Sequence, residues 1–322
     1  MNVFLESRIA SWGDWVVAAP SEKYIYVIQV KGEGKMEKTE IKDPINIIRG
    51  IERPKILDLA IYFIEKEKKL LIFVLILKAE SPDSGNAAQK QVHRLTYSDI
   101  SGIQDIVDTN RRHKLLFWFD CRDSVREDTK IALGFDKNPY EEFDARPTRI
   151  YVGRTRNKTR MEKIERNERI ERNEIENVIE IYDMADENVS SKAQTKVVSK
   201  VNENKENKLE GISVSYHDRL KVAIAYQNSV ALFKDIDKVD QKTTYEAKKK
   251  REISTAGNST NSNLIAWHPT REHCLCSVSS TKASNRNNLQ RWTYTIHDLN
   301  QNSRSGVFRV GTCFDENHRQ KC

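Results

Sequence analysis

Two types of short stretch in this 322-residue chain gather the side chains that metal or nucleophile chemistry uses. The first holds His268, His273, Cys274 and Cys276. Zinc takes histidine and cysteine, but a structural site calls for cysteines two to four residues apart and a second, distant pair. Cys274 and Cys276 are two positions apart, on one face of a strand, and read as small apolar side chains. The second stretch type is a histidine followed by an aspartate, at His217-Asp218 and His297-Asp298. An activated nucleophile needs its base and orienting acid within hydrogen-bond reach, whereas neighbours in a strand point to opposite faces. No G-x-S-x-G elbow and no glycine-rich phosphate loop occurs. The expectation is a chain with no catalytic, metal or cofactor residues, hence not an enzyme.

Two basic runs offer a different chemistry. Arg154, Arg156, Lys158 and Arg160 form one, and Lys248, Lys249, Lys250 and Arg251 the other. Both can contact phosphates, and the second can also serve as a nuclear-import signal. The whole chain carries 54 Lys and Arg against 47 Asp and Glu, a net +7. An excess of that size favours acidic partners without establishing nucleic-acid binding, which needs a basic face. The tryptophans 12, 15, 118, 267 and 292 can stack on sugars, but at alternating strand positions they read as core.

The elements that must position these residues are short strands. Runs rich in aromatic and β-branched residues occur at 24–30, 70–76, 114–120, 177–183, 229–235 and 290–298. Four of them close on an aspartate: Asp120, Asp183, Asp235 and Asp298. Those aspartates are expected to tie down turns and backbone amides. Several runs have strand partners just upstream, so that 8–30, 213–235 and 264–298 each read as a three-strand antiparallel meander. The apolar stretch 56–77 is cut by Glu65-Lys66-Glu67-Lys68-Lys69, which reads as a hairpin turn and not as part of a membrane span.

Leu264-Ile-Ala-Trp267-His268-Pro269 with Cys276-Ser-Val-Ser279, together with the aspartate-ended strands, resembles the blade opening of WD-repeat β-propellers. The resemblance implies an all-β propeller of about six or seven four-stranded antiparallel blades over residues 1–310, with 311–322 as a tail. It also implies a platform that assembles complexes. A closed ring needs its last edge covered, and Gly306–Val310 is expected to add a strand to the first blade.

Three polar segments are expected to be inserts. In 154–176, Glu and Arg or Lys recur with period three, which a helix would pair at i,i+4, so a solvated, partly helical insert is expected. Residues 185–209 and 237–263 read as flexible loops. Five sparse cysteines and the absence of a signal-like N-terminal stretch point to an intracellular protein, cytoplasmic or nuclear. The functional expectation is a non-enzymatic scaffold or adaptor that binds other protein subunits. A nucleic-acid-associated subunit is the alternative, and a lectin a further one.

Overall fold

A computed structural model describes residues 8–19, 25–31, 35–41, 55–78, 89–98, 111–120, 129–163, 169–185, 188–189, 193–201, 209–218, 221–226, 229–234, 245–246, 249–254, 261–282, 290–300 and 306–308. These residues form five sheets that, but for one short strand, are antiparallel and follow one another along the chain. The first consists of β1 (Arg8–Trp12), β2 (Trp15–Ala19), β3 (Ile25–Lys31) and β4 (Lys35–Ile41). The second consists of β5 (Lys55–Ile64), β6 (Lys69–Lys78), β7 (Gln89–Ser98) and β8 (Arg111–Asp120). The third runs β9 (Lys130–Phe135), β10 (Pro147–Lys163), β11 (Arg169–Ala185) and β13 (Gln194–Val201), with the short β12 (Asn188–Val189) paired to β11. The fourth is β14 (Leu209–Val214), β15 (Val222–Tyr226), β16 (Ser229–Phe233) and β18 (Lys249–Ser254). The fifth is β19 (Asn261–Trp267), β20 (Cys274–Lys282), β21 (Gln290–Asp298) and β22 (Gly306–Phe308). From the connection between β16 and β18, β17 (Tyr245–Glu246) reaches back to pair in parallel with β13, covering the outer edge of the third sheet.

The side-chain pattern explains how the sheets stack. In β6, Leu70, Ile72, Val74 and Ile76 pack against the first sheet, while Leu71, Phe73 and Leu75 pack against the third. A strand segment covered on both faces must be apolar at every position, and residues 70–77 of this one are. β15 repeats the arrangement: Val222, Ile224 and Tyr226 face the third sheet, Ala223 and Ala225 the fifth. In β2, by contrast, only Trp15, Val17 and Ala19 are buried and the alternate residues are half-exposed.

The first strands of all five sheets, β1, β5, β9, β14 and β19, line one cavity of about 280 Å³. Hydrogen bonds stitch neighbouring inner strands together. Arg8 Nε donates to the Leu57 carbonyl (3.3 Å), Ile131 N–H donates to Asp58 Oδ2 (2.8 Å), and Trp267 N–H donates to Ser213 Oγ (3.2 Å). Four-stranded sheets arranged radially about a channel make this an all-β propeller.

Several expectations change. The described residues form five sheets, against six or seven expected, and the source of the difference is visible. The runs at 70–76 and 114–120 belong to one sheet, as its second and fourth strands, and so mark one blade between them. Gly306–Phe308 pairs with β21 (Tyr294 opposite Phe308), so it completes the last sheet and adds nothing to the first. Residues 154–163 and 169–176 are strand, not helix. They extend β10 and β11 into a long hairpin whose register runs from Arg149 opposite Asp183 to Lys163 opposite Arg169. The 185–209 segment contributes β13, and 237–263 contributes β17, β18 and the start of β19. Residues 311–322 lie outside the described residues.

Candidate functional site

The five inner strands run in the same direction, so their C-terminal ends meet at one end of the channel. Four of them bring an aromatic residue there: Trp12 ends β1, Tyr62 lies near the end of β5, Phe135 ends β9, and Tyr216 follows β14. Trp12 is the hub, with ring centroids 4.8 Å from Tyr62, 5.7 Å from Phe135 and 5.6 Å from Tyr216. The edge-on and offset geometries are those that aromatic quadrupoles favour.

The loop between β9 and β10, residues 136–146, lies over this cluster. Tyr140 stacks on Trp12 at 4.8 Å and meets Tyr216 edge-on at 5.2 Å. The buried Tyr62 hydroxyl donates to the Ala145 carbonyl, and Arg146 forms an ion pair with Glu67 of the β5–β6 turn. On the other side Asn138 Nδ2 donates to His217 Nδ1 (3.2 Å), which links the loop to the fourth sheet. Within the loop, Asn138 Oδ1 accepts from Tyr140 N–H (3.1 Å). Burial raises all three phenols: Tyr62 to about 12, and Tyr140 and Tyr216 upward as well. They are neutral hydroxyls at any physiological pH. The loop thus has three independent anchors, yet Tyr140 is 40% exposed and Phe143 80% exposed. The site displays aromatic surface on a braced loop.

Elsewhere in the channel wall stands Asp58, at a register irregularity of β5. Its side chain is half-buried and lines the cavity. Desolvation pushes its pKa up, opposed by the positive charge of Lys130 and by the amide hydrogen bonds from Ile131 and Leu59. Neither Asp58 nor the aromatic loop was singled out by spacing, because their partners are far off in sequence.

The residues singled out from sequence do not converge. Asp120 closes β8, a fourth strand, whereas Asp183 and Asp298 lie on third strands; Asp235 is outside the described residues. Asp298 Oδ1 accepts from Asn300 N–H (3.0 Å), capping a turn as expected. Asp183 instead pairs across the hairpin with Arg149 Nε at 2.8 Å. Two members of the basic run of β10, Arg154 and Arg156, are neutralised by β11. Arg154 Nη2 pairs with Glu180 (2.7 Å), both nearly buried, and Arg156 pairs with Glu176 (2.8 Å). Lys158 stands opposite Glu174 and Arg160 opposite Arg172 in the register. Arg154 and Arg156 are therefore structural cations, not free phosphate contacts. Lys249, Lys250 and Arg251 belong to β18, the outer strand of the fourth sheet, and Lys248 lies outside the described residues. Trp15 and Trp267 are buried, while Trp118 is 56% exposed. Cys274 is buried and Cys276 half-buried, on one face of β20. Among the described residues no three His, Cys, Asp or Glu side chains are grouped to hold a metal.

No protein-family model and no curated protein sequence matches the chain. Solved structures of similar shape include the WD40 domain of SCAP from fission yeast, at 9% identity and a TM-score of 0.40, covering 98% of this chain and 60% of that one. They also include an exo-β-1,3-galactanase from Phanerochaete chrysosporium, at 12% identity and a TM-score of 0.43, covering 91% and 60%. A third is the soluble aldose sugar dehydrogenase of Escherichia coli, at 9% identity and a TM-score of 0.38, covering 86% and 93%. The chain thus spans about three-fifths of the length of the first two. Two of these three are enzymes, which corrects the expectation of a chain without activity: a fold of this shape does not exclude catalysis.

Proposed function

We propose that the chain is a WD-repeat-like propeller that acts as a scaffold in a multiprotein complex and holds a protein partner through the loop between β9 and β10. The observation that carries this reading is Phe143, 80% exposed beside the partly exposed Tyr140 on a loop anchored by Trp12, Tyr62 and His217. A large apolar ring held outward by a rigid base loses little conformational entropy on docking, which is the character of an interface anchor. The WD-repeat part of the reading is supported by the motif residues. Trp267 Nε1 donates to the Ser213 carbonyl (3.2 Å), His268 Nδ1 accepts from Arg271 N–H (3.0 Å), and Ser277 and His297 form a buried pair at 2.8 Å. The test is Phe143→Ala in a quantitative co-purification from the native cell. At least one chain is expected to fall by about tenfold, with the melting temperature unchanged because so exposed a ring adds little to the core. Retention of every co-purifying chain at parental levels refutes the reading.

A further inference from the structure

The channel wall changes character along its length. The first strand of every sheet stands at the end of its strand order, so the edges lining the cavity carry amides and carbonyls with no strand beside them among the described residues. Where β9 and β14 begin, Lys130 and Glu210 join the wall. Asp58 stands level with them, since its Oδ2 accepts from Ile131 N–H at 2.8 Å. Leu59, Ile131 and Ile212 supply an aliphatic middle, and Trp12, Phe135 and Tyr216 stand at the far end. Lys130 and Asp58 are both half-buried. The positive charge of Lys130 is the leading influence that opposes desolvation at Asp58, so the two are near neighbours. Among the described residues, however, no ion pair joins them, and the Lys130 ammonium meets no acceptor. Two opposite charges face one cavity across a gap, each with hydrogen-bonding capacity to spare.

We propose that the channel binds a zwitterionic α-amino acid with an apolar side chain, its carboxylate on Lys130, its ammonium on Asp58, and its side chain laid along the aliphatic wall. A simple cation at this end would meet Lys130, and a simple anion would meet Asp58 and Glu210, so either enters against a like charge. A zwitterion brings the opposite charge to each side and bridges the gap with charge-assisted hydrogen bonds. Polar groups gathered at one end, with apolar residues beyond them, are how a small-molecule site fixes orientation. The cavity, about 280 Å³, is close to the roughly 300 Å³ at which such sites begin, which matches a ligand as small as one amino acid. Phe135 lies five residues beyond Lys130, about 16 Å along the strand, so the ligand's side chain ends among the aliphatic residues and short of the rings. The site makes no use of the Phe143 loop, so this proposal and the preceding one fail or stand independently.

The test is calorimetric titration of the purified full chain with L-leucine at neutral pH. Saturable binding is expected, with a dissociation constant below about 1 mM. Isopentylamine, which lacks the carboxylate, and 4-methylpentanoate, which lacks the ammonium, should each bind at least about tenfold more weakly. That comparison needs only the parent chain, so it decides the matter even where a variant folds poorly. Lys130→Met and Asp58→Asn then locate the site, each weakening leucine by about tenfold or more while circular dichroism shows the parent's fold. Absence of saturable binding overturns the proposal, as does equal affinity for either analogue. Leucine binding that both variants leave unchanged lies elsewhere on the chain and also overturns it. So does tighter binding of D-glucose than of leucine, because the wall would then be reading hydroxyl groups and not opposite charges.

Discussion

Glu180→Leu puts the strongest demand on the account of the β10–β11 hairpin. The Arg154–Glu180 pair is buried, with side chains 6% and 7% exposed, and the guanidinium lies 5.2 Å from the centre of the Phe119 ring. Glu180 also accepts from the Tyr182 hydroxyl (3.3 Å), whose ring stacks on Phe117 at 3.9 Å. Leucine removes the 2.7 Å counter-charge of a guanidinium buried at the junction between the second and third sheets. Removing one partner of a buried pair costs about 3–5 kcal/mol, because the remaining charge stays desolvated. At about 2 °C per kcal/mol for a chain of this size, the melting temperature should fall by roughly 6–10 °C. Replacing both partners, Arg154→Met with Glu180→Leu, should recover most of that loss, since an apolar pair of similar volume needs no counter-charge. Urea unfolding of parent, both single variants and the double variant closes the cycle. A single variant within about 1 kcal/mol of the parent refutes the reasoning, and so does a double variant no better than the single.

Asp58→Asn should change how stability depends on pH. Desolvation raises the Asp58 pKa above 3.8 in the folded state, so the native chain holds a proton that the unfolded chain has released. Stability from this group therefore falls as pH rises from 3.8 through the raised native value and is level above it. Asparagine keeps an oxygen for the Ile131 amide, so the variant's advantage should grow across that window in unfolding series at stepped pH; a flat difference sinks the assignment. Gly134→Ala places a Cβ 2.5 Å from the ring of the fully buried Tyr151, and should cost about 1–3 kcal/mol by calorimetry or denaturant. In the sheet register, residues 158–163 and 169–174 pair only with each other. Replacing 158–174 by Asn-Gly should therefore leave the melting temperature within a few degrees of the parent, and unfolding on that replacement would show that the ribbon is part of the core.

The alternation of apolar residues made the strands legible, and the meanders at 8–30, 213–235 and 264–298 correspond to β1–β3, β14–β16 and β19–β21. The Glu65–Lys69 break is the hairpin turn it was read to be. Blade number was not legible, because a run covered on both faces, such as 70–76, looks the same whichever strand of its sheet it forms. The period-three charges of 154–176 misled for a related reason. Their pairing is across a hairpin, Arg156 with Glu176 twenty residues on, and a rule about neighbours three and four apart cannot register it. The site lay further still from local signals. Tyr140 reaches Trp12 and Tyr216, and Asp58 reaches Ile131, only once the sheets surround the channel.

Each of the five sheets is built almost wholly from one stretch of chain, and the last described strand, β22, completes its own sheet instead of pairing with the first. That arrangement has a consequence for biosynthesis. A propeller whose first blade waits for its final strand cannot finish its outermost sheet until translation ends. Here, when residue 41 has left the ribosome, every strand of the first sheet is already available, and each later sheet can condense on the one before it. The search for partners stays within a few dozen residues at each step, which keeps the entropy of loop closure small and the interval of exposed edges short. Assembly can proceed from the N-terminus as a growing stack, with no distant ends to bring together.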